Sequence, residues 1–220
     1  MNEDNVWSEL ASISADPPET RDKCQQCKRP VQVCWCPGLP KHRLNPASRI
    51  VILQHPAEAK RCLRTVPMLT LALESGKCLI FRAYDFPGRF SSHSSSPLPP
   101  CLGAYNFSCQ AIYHSSPALY FLRACKLIGV PTSEYVIRTQ PTEGCLSTLE
   151  TGASALSILE GDPELRKKML GPLHYLCRFQ LENGAVTHQS KEFLIKQKTY
   201  PKLIGKRLAK QLRILPDSTA

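Results

Sequence analysis

Two short apolar runs on either side of a helical stretch restrict the fold of this chain more than any other feature. RIVILQ (49–54) and KCLIF (77–81) are continuous apolar runs of strand length, which is typical of parallel strands covered on both faces. Between them, residues 60–75 carry apolar side chains at helical spacing, with Gly76 at the position of a C-cap. Pro67 fits such a helix only near its first turn or at a kink. The sequence therefore predicts a β-α-β unit.

The alternation of helices and strands resumes after residue 108. The predicted elements are a helix at 108–116, strands RACKLIGV (123–130) and EYVIR (134–138), and helices at 147–160 and 163–184. A break is predicted in the last helix at Gly171-Pro172. This order indicates the α/β class, with helices on a mostly parallel sheet.

CQQCKRPVQVCWC (24–36) places four of the 11 cysteines within one short stretch. Zinc in structural sites takes four S or N ligands, usually from two short chelating turns. Cys24 and Cys27 form one such turn, and Cys34 and Cys36 form a tighter second one. A redox motif would follow a strand and open a helix, and no strand pattern precedes residue 24. Unligated thiols on a loop remain the alternative to a zinc knuckle.

The N-terminus lacks the basic and apolar pattern of a secretory signal, and no apolar run is long enough to span a bilayer. We therefore expect a protein of the cytoplasm or the nucleus, where thiols stay reduced and clustered cysteines favour metal. The predicted organisation is an acidic, disordered leader (1–22), a Cys-rich knuckle (23–40), an α/β domain (41–205) and a basic tail (206–220).

Charge is unevenly distributed in this chain of net charge +10. Residues 1–22 carry six acidic residues against Arg21, whereas residues 189–213 carry eight basic residues against Glu192. A basic block at one end is typical of a protein with a polyanionic partner such as nucleic acid. The alternative is a solvated tail that keeps the protein soluble.

HPAEAKR (55–61) directly follows the first predicted strand, at the sheet edge where ligands bind in open α/β folds. His55, Glu58 and Arg61 could serve there as proton acceptor, orienting carboxylate and anion clamp. The alternative is structural, because Glu58 favours a helix start and Arg61 could pair with it.

STLE (147–150) matches the S-x-x-E capping box, so Ser147 and Glu150 are expected to cap a helix. The same geometry could present N–H groups to an anion. The histidines other than His55 stand singly in the sequence and suggest no ligand pair; they are His42, His93, His114, His174 and His188. The chain contains no P-loop, GxGxxG, HExxH or GxSxG motif.

The C-x2-C…C-x-C cluster, the strand ending in LQHPAE with Arg61, and YVIRTQPTEGCLSTLE (135–150) together resemble the DTW-domain family. More specifically, the chain resembles the eukaryotic tRNA-uridine aminocarboxypropyltransferases of that family, over about residues 20–84 and 108–205. LHYLCRFQLENGA and the basic YPK segment extend the likeness. The resemblance implies a SPOUT-like fold and S-adenosylmethionine as co-substrate. It also implies transfer of the 3-amino-3-carboxypropyl group to N3 of a uridine in tRNA.

The resemblance also implies roles for individual residues. His55, Glu58 and Arg61 would line the catalytic site. Ser147, Thr148 and Glu150 would face them and bind the cofactor, with the helix N-terminus on its carboxylate. The knuckle and the basic tail would hold the tRNA. The basic residues expected to bind RNA are Lys202, Lys206, Arg207, Lys210 and Arg213.

The chain departs from the family in its middle. It contains no D-T-W tripeptide, and residues 85–107 hold five serines in six positions followed by three prolines. Such a composition predicts a flexible loop or linker where the family has a strand. A replaced segment between two matching flanks suggests an alternative splice product or a misread gene. We therefore expect impaired catalysis, with a non-catalytic tRNA-binding variant or an unstable product as alternatives.

Overall fold

In the computed structural model of this protein, a set of residues from 21 onward is described. They are 21–54, 56, 58, 61, 63–82, 113–120, 125, 127–129, 131–205, 208, 209 and 212. The chain divides into two compact units, Met1–Cys34 and Trp35–Ala220. Within the described residues the architecture is mixed α/β. Residues 85–107, the predicted linker, lie outside the described part, as does nearly all of the predicted leader and basic tail.

Two parallel strands form the sheet of the second unit. β1 (Ile50–Gln54) pairs with β2 (Cys78–Arg82), and Ile52 lies opposite Ile80. All but one residue of β1 are buried, as expected for a parallel strand covered on both faces. The predicted strands 49–54 and 77–81, and their parallel relation, are confirmed. Among the described residues this pair is the whole sheet.

Helix α1 (Val66–Ala72) connects the two strands and is shorter than predicted. The prediction placed its start near residue 60, but the helix begins at Val66, so that Pro67 lies in the first turn. Proline is favoured there because its missing N–H would have no intrahelical partner. The C-cap is Leu73, not Gly76 as predicted. Gly76 instead lies in the turn before β2, with a φ of 81°.

Two long helices pack against each other and form most of the core. Helix α2 (Thr148–Glu160) starts at the Ser147 cap and ends at Gly161, whose φ of 65° is left-handed. Helix α3 (Pro163–Glu182) starts at Asp162, whose carboxylate accepts the Glu164 N–H. Buried side chains recur along both helices at spacings of three and four residues. They include Leu149, Ala153, Leu156, Leu165, Met169, Leu173 and Leu176.

The predicted break at Gly171-Pro172 is wrong, because α3 runs through both residues without interruption. Gly171 lies against the backbone of Gly38, in a 3-10 turn formed by Cys36–Gly38. A Cβ added to Gly38 would lie 2.5 Å from the carbonyl oxygen of Gly171 and 2.7 Å from the Tyr175 ring. The glycine at position 171 therefore serves a close backbone approach and does not end the helix.

The predicted strand EYVIR is also wrong, since residues 134–138 form an irregular segment. Its backbone donors bond to side chains. The Glu134 N–H donates to the Glu150 carboxylate, and the Tyr135 N–H donates to Ser133 Oγ. A segment whose N–H groups are taken in this way cannot form a strand ladder.

The other predicted strand, RACKLIGV, has four described residues, and none of them is in a strand. Gly129 has a φ of 69°, a left-handed conformation that does not belong to a regular strand. The predicted helix at 108–116 lies mostly outside the described residues, and Pro117 opens a 3-10 turn (Pro117–Leu119) as expected. A short helix that the sequence did not predict, α4 (Lys191–Lys196), begins at the Ser190 cap. No described helix is long and apolar enough to cross a membrane.

Candidate functional site

The four clustered cysteines come together in space. The Sγ atoms of Cys24, Cys27, Cys34 and Cys36 all lie within 4.8 Å of one another. No disulfide joins any of the described cysteines. Cys27 Sγ lies 3.7 Å from Cys34 Sγ. Four sulfurs at about 2.3 Å around a tetrahedral zinc lie about 3.8 Å apart, so this separation already matches a loaded site. The donor set fits zinc, and these residues can hold it.

The chain turns tightly at the first cysteine pair. The Lys28 N–H donates to the Cys24 carbonyl at 2.9 Å, and the Cys24 N–H donates to the Arg29 carbonyl at 2.8 Å. Hydrogen bonds from the backbone N–H groups of Cys27 and Gln26 lower the pKa of the Cys24 thiol to about 6. Amides directed at a sulfur favour the thiolate, which is the form that binds metal.

The predicted capping box at STLE is present. Ser147 Oγ accepts the Glu150 N–H at 3.3 Å, and the Glu150 carboxylate accepts the Ser147 N–H at 2.7 Å. Thr65 Oγ1 accepts the Leu149 N–H, and the Ser147 carbonyl accepts that of Thr151. Within the described residues, only the Thr148 N–H of this first turn has no acceptor. Most backbone N–H groups of this first turn therefore already have acceptors within the protein.

Glu150 is fully buried, and its carboxylate has several donors besides Ser147. It accepts the Glu134 N–H at 2.6 Å and hydrogen bonds from Ser133 Oγ at 3.0 and 3.1 Å. A buried carboxylate requires such donors. The geometry gives Glu150 a structural role that joins the 133–134 segment to α2. Its role in cofactor binding stays a prediction.

The segments before and after the middle of the chain meet near α2. The Tyr135 hydroxyl, almost fully buried, donates to the Leu63 carbonyl at 2.9 Å. Together with the Thr65 contact to Leu149, this bond places residues 63–65 beside the start of α2. The structure thus brings residues 63–65, shortly after the first predicted site segment (55–61), close to the second.

The predicted catalytic residues are only partly described. His55 lies outside the described residues. Glu58 Oε1 lies 3.2 Å from Arg61 Nε, so the pairing that was the structural alternative does form. Their catalytic role stays a prediction.

In a cluster that was missed by the sequence analysis, Glu134, in the irregular segment before α2, contacts Arg166 and His174 of α3. Glu134 Oε1 accepts a hydrogen bond from Arg166 at 2.7 Å, and Glu134 Oε2 lies 2.5 Å from His174 Nε2. Burial opposes ionisation of Glu134, but the hydrogen bonds from His174 and Arg166 outweigh it and lower its pKa. The sequence predicted no ligand pair for His174, and among the described residues its carboxylate contact is an ion pair and not part of a metal-ligand group. Its partner is 40 residues away, and no spacing in the sequence signals such a pair.

The start of the basic block at residues 189–213 contacts the loop at residues 140–143, which precedes α2. The backbone N–H groups of Lys191 and Glu192 donate to the carbonyls of Gln140 and Pro141. The Glu192 carboxylate accepts the Glu143 N–H at 3.2 Å and a hydrogen bond from Lys196 at 2.9 Å. Lys202 is exposed, whereas the other predicted RNA-binding residues lie outside the described part: Lys206, Arg207, Lys210 and Arg213.

These features define a mixed α/β protein with a four-cysteine, metal-competent cluster. The chain belongs to the DTW domain family, whose model matches residues 21–97 and 108–181. The predicted family resemblance is thereby confirmed. The first matching segment continues to residue 97, beyond the predicted limit at 84, and the match resumes at 108 as predicted. No solved structure matches the chain.

Several curated relatives are similar over almost the whole chain. tRNA-uridine aminocarboxypropyltransferase 2 of Drosophila melanogaster is 52% identical over 240 residues, which cover 96% of each chain. The protein of the same name from Macaca fascicularis is 34% identical, covering 98% of this chain and 83% of its own. tRNA-uridine aminocarboxypropyltransferase A of Arabidopsis thaliana is 26% identical, covering 87% and 89%.

The alignment with the fly protein is longer than this chain. Its 240 positions exceed the 220 residues here, so at least 20 positions of the relative (240 − 220) have no counterpart. The family match is interrupted at residues 98–107, between its two matching segments. The interruption of the family match falls within the segment 85–107 that the sequence analysis identified as replaced.

Proposed function

We propose that this protein transfers the 3-amino-3-carboxypropyl group of S-adenosylmethionine to N3 of a uridine in tRNA, on a SPOUT-like domain. The supporting observation is the 52% identity to the fly tRNA-uridine aminocarboxypropyltransferase 2 across 96% of both chains. The α/β class and the parallel pair β1–β2 agree with such a domain.

The reaction needs a proton acceptor and accurate positioning. S-adenosylmethionine supplies an electrophilic carbon beside its sulfonium. N3 of the uridine loses its proton and attacks that carbon, the C–S bond breaks, and its electron pair leaves with a neutral thioether. Most of the rate enhancement then comes from alignment of the two substrates and from proton removal.

The chain offers residues for these tasks. In this proposal His55 takes the N3 proton, Glu58 orients it, and Arg61 binds an anionic group. Around the cofactor, the Thr148 N–H faces its carboxylate. Ser147 and Glu150 hold that turn in place through the capping box.

Zinc is proposed in the cluster of four cysteines, where its role is structural. All four coordination positions would be filled by Cys24, Cys27, Cys34 and Cys36, which leaves none for a substrate. The loaded knuckle, together with Lys202 and the basic residues of 206–213, would contact tRNA.

We propose that the protein acts in the cytoplasm or the nucleus. Fluorescence microscopy of a tagged chain would test this location.

A second candidate function is tRNA binding without turnover. The observations that favour it are the missing D-T-W tripeptide and the interruption of the family match at 98–107. A parallel strand that loses its neighbour exposes backbone groups and apolar side chains. In β2, Leu79 and Phe81 are 37% and 40% exposed, in contrast to the buried β1.

One assay distinguishes the two candidate functions. S-adenosylmethionine labelled in its aminocarboxypropyl chain is incubated with unmodified tRNA and this protein, with the fly relative as positive control. Label that reaches uridine at a rate close to that of the fly enzyme supports the transferase, excludes the second candidate and contradicts the expected impairment. Label that reaches uridine much more slowly supports a transferase with impaired catalysis. Binding of tRNA with no label transferred supports the second candidate. A protein that neither binds tRNA nor transfers label contradicts both.

A third sample tests the cause of any loss. The segment of the fly relative that lies between the positions aligned with residues 97 and 108 replaces residues 98–107 of this chain. If the unmatched segment of this chain abolishes turnover, this replacement should restore it. Replacement of residues 98–107 by a Gly-Ser segment of the same length is the control and should not restore turnover.

A further inference from the structure

Two lysines have a backbone conformation that usually belongs to glycine. Lys28 has a φ of 59° and Lys198 a φ of 55°, and they are the only described non-glycine residues with positive φ. The other described residues in this region of φ are Gly76, Gly129, Gly161 and Gly184. A side chain with a Cβ is strained there, because the Cβ approaches the following carbonyl oxygen.

Lys28 lies in the tight turn of the cysteine cluster. Its N–H bonds to the Cys24 carbonyl, which fixes the left-handed conformation at this position. The side chain is exposed and makes no ion pair with any acidic residue that the structure describes. Neither packing nor an internal salt bridge therefore accounts for lysine at a position where glycine would be unstrained.

Lys198 lies just after helix α4. Its N–H donates to the Ile195 carbonyl at 3.0 Å, and the Thr199 N–H donates to the Leu194 carbonyl at 2.8 Å. Helices commonly end in this way with glycine in the left-handed position. The Lys198 side chain is exposed, and no described acid forms an ion pair with it.

Each lysine also lies in a basic neighbourhood. Lys23 and Arg29 flank the first, and Lys196 and Lys202 flank the second. α4 is fixed to the 140–143 loop by the bonds of Lys191 and Glu192, so Lys198 stands on an anchored segment. The backbone that carries the lysine is thereby held in place, while the exposed ammonium group is available to contact a phosphate.

We propose that Lys28 and Lys198 are phosphate-contacting residues of the tRNA-binding surface, and that their charge is kept at the expense of backbone strain. This inference rests on the proposed function in that it takes tRNA as the partner. Strain that persists at a surface position points to a functional requirement for the side chain. A favourable interaction of Lys198 with the C-terminal end of α4 is the competing explanation.

Substitution by glycine distinguishes phosphate contact from a purely structural role of the lysine. If the lysine contacts phosphate, glycine should raise the stability of the protein and weaken tRNA binding. Lys28→Gly and Lys198→Gly relieve the strain, so each should raise the melting temperature by about 2–4 °C. Each should also weaken tRNA binding and lower the slope of log affinity against log salt concentration by about 0.7–0.9. Filter binding at several salt concentrations measures the affinity and the slope.

Matched variants isolate charge from backbone. Lys28→Gln and Lys198→Gln lose the charge but keep the strain, so they should weaken binding without the gain in melting temperature. Lys28→Arg and Lys198→Arg should retain binding. Lys167→Gln and Lys168→Gln, exposed on α3 in regular helical conformation, are surface controls and should leave the salt slope unchanged. Zinc content is measured for the Lys28 variants because Cys27 is adjacent.

Glycine variants that gain melting temperature but keep the tRNA affinity and the salt slope would overturn the inference. So would a wild-type chain that does not bind tRNA. Label transfer from S-adenosylmethionine is read separately. A chain that binds tRNA through these lysines and transfers no label therefore supports this inference while contradicting the transferase proposal.

Discussion

Glu134 Oε2 lies 2.5 Å from His174 Nε2, and the other carboxylate oxygen of Glu134 accepts a hydrogen bond from Arg166 at 2.7 Å. Both partners are on α3, whereas Glu134 lies in the irregular segment before α2. The Arg166 Nε donates in turn to the buried Ser154 Oγ of α2 at 3.2 Å. This carboxylate therefore joins the 133–135 segment directly to α3 and, through Arg166, to α2.

The first prediction is a pH dependence of stability that Glu134 causes. Because its pKa is lowered in the folded protein, its contribution is present above the ordinary Glu value of about 4.3. The contribution is lost as the pH falls through the lower, folded pKa. Glu134→Gln should reduce the free energy of unfolding by about 1 kcal/mol at pH 7, since solvent screens the partly exposed pair. The difference should shrink steadily below about pH 4.

Urea denaturation between pH 3 and pH 7 measures this effect. Glu182→Gln is the control, because Glu182 is 63% exposed and its carboxylate lies 3.8 Å from Arg178. Its difference from wild type should stay near zero at every pH. An unchanged gap between wild type and Glu134→Gln from pH 7 to pH 3 would show that the carboxylate does not carry this contribution.

Local features of the fold could be predicted from the sequence because their signals are close together in the chain. The capping box at Ser147 and Glu150 needs only three residues, and it forms as predicted. The strand at 50–54 was visible as an apolar run. The four cysteines were visible for the same reason, since 13 positions contain all of them.

Features that depend on distant residues could not be predicted. Glu134 meets His174 across 40 positions, and EYVIR fails to form a strand because a distant carboxylate takes its N–H. Likewise, Gly171 next to Pro172 predicts a helix break. The structure shows instead that Gly171 packs against the backbone of Gly38 inside a continuous helix. In each case a tertiary contact overrides the local preference of the chain.

The second prediction concerns the buried carboxylate of Glu150. Glu150→Ala removes the acceptor of the Ser147 and Glu134 N–H groups and of the Ser133 hydroxyl. Each buried donor left without a partner costs about 1–3 kcal/mol, so the free energy of unfolding should fall by about 3–5 kcal/mol in total. Chemical denaturation measures the loss.

Ser147→Ala is the matched control for Glu150→Ala. It removes one cap hydrogen bond and leaves the carboxylate network intact, so it should cost only about 1 kcal/mol. If Glu150→Ala is no more destabilising than Ser147→Ala, the network is not the main role of this residue. A specific loss of S-adenosylmethionine binding with unchanged stability would then favour direct contact with the cofactor.

The third prediction is that Gly171→Ala destabilises the protein. Helix propensity alone would favour alanine inside a helix by about 1 kcal/mol. Here the new methyl group would collide with the Gly38 carbonyl oxygen, and overpacking of this kind costs about 1–3 kcal/mol. Thermal unfolding shows whether the Gly171→Ala variant is less or more stable than wild type. Gly144→Ala is the control, since nothing lies within 4 Å of a Cβ there and little change is expected. A more stable Gly171→Ala variant would mean that the two backbones separate easily.

The last prediction is that the protein as purified contains one zinc ion, held by the four cysteines. Cys24→Ser and Cys36→Ser each remove one ligand from a different chelating turn, so both should lower the zinc content measured by mass spectrometry. A chelator should lower the melting temperature of wild type, because metal binding contributes to the stability of a small knuckle. Cys145→Ser is the control, since Cys145 lies outside the cluster, and its zinc content should equal that of wild type. Wild-type protein that contains no zinc after expression with zinc in the medium would contradict the prediction, and the 3.7 Å approach of Cys27 to Cys34 would then need another explanation.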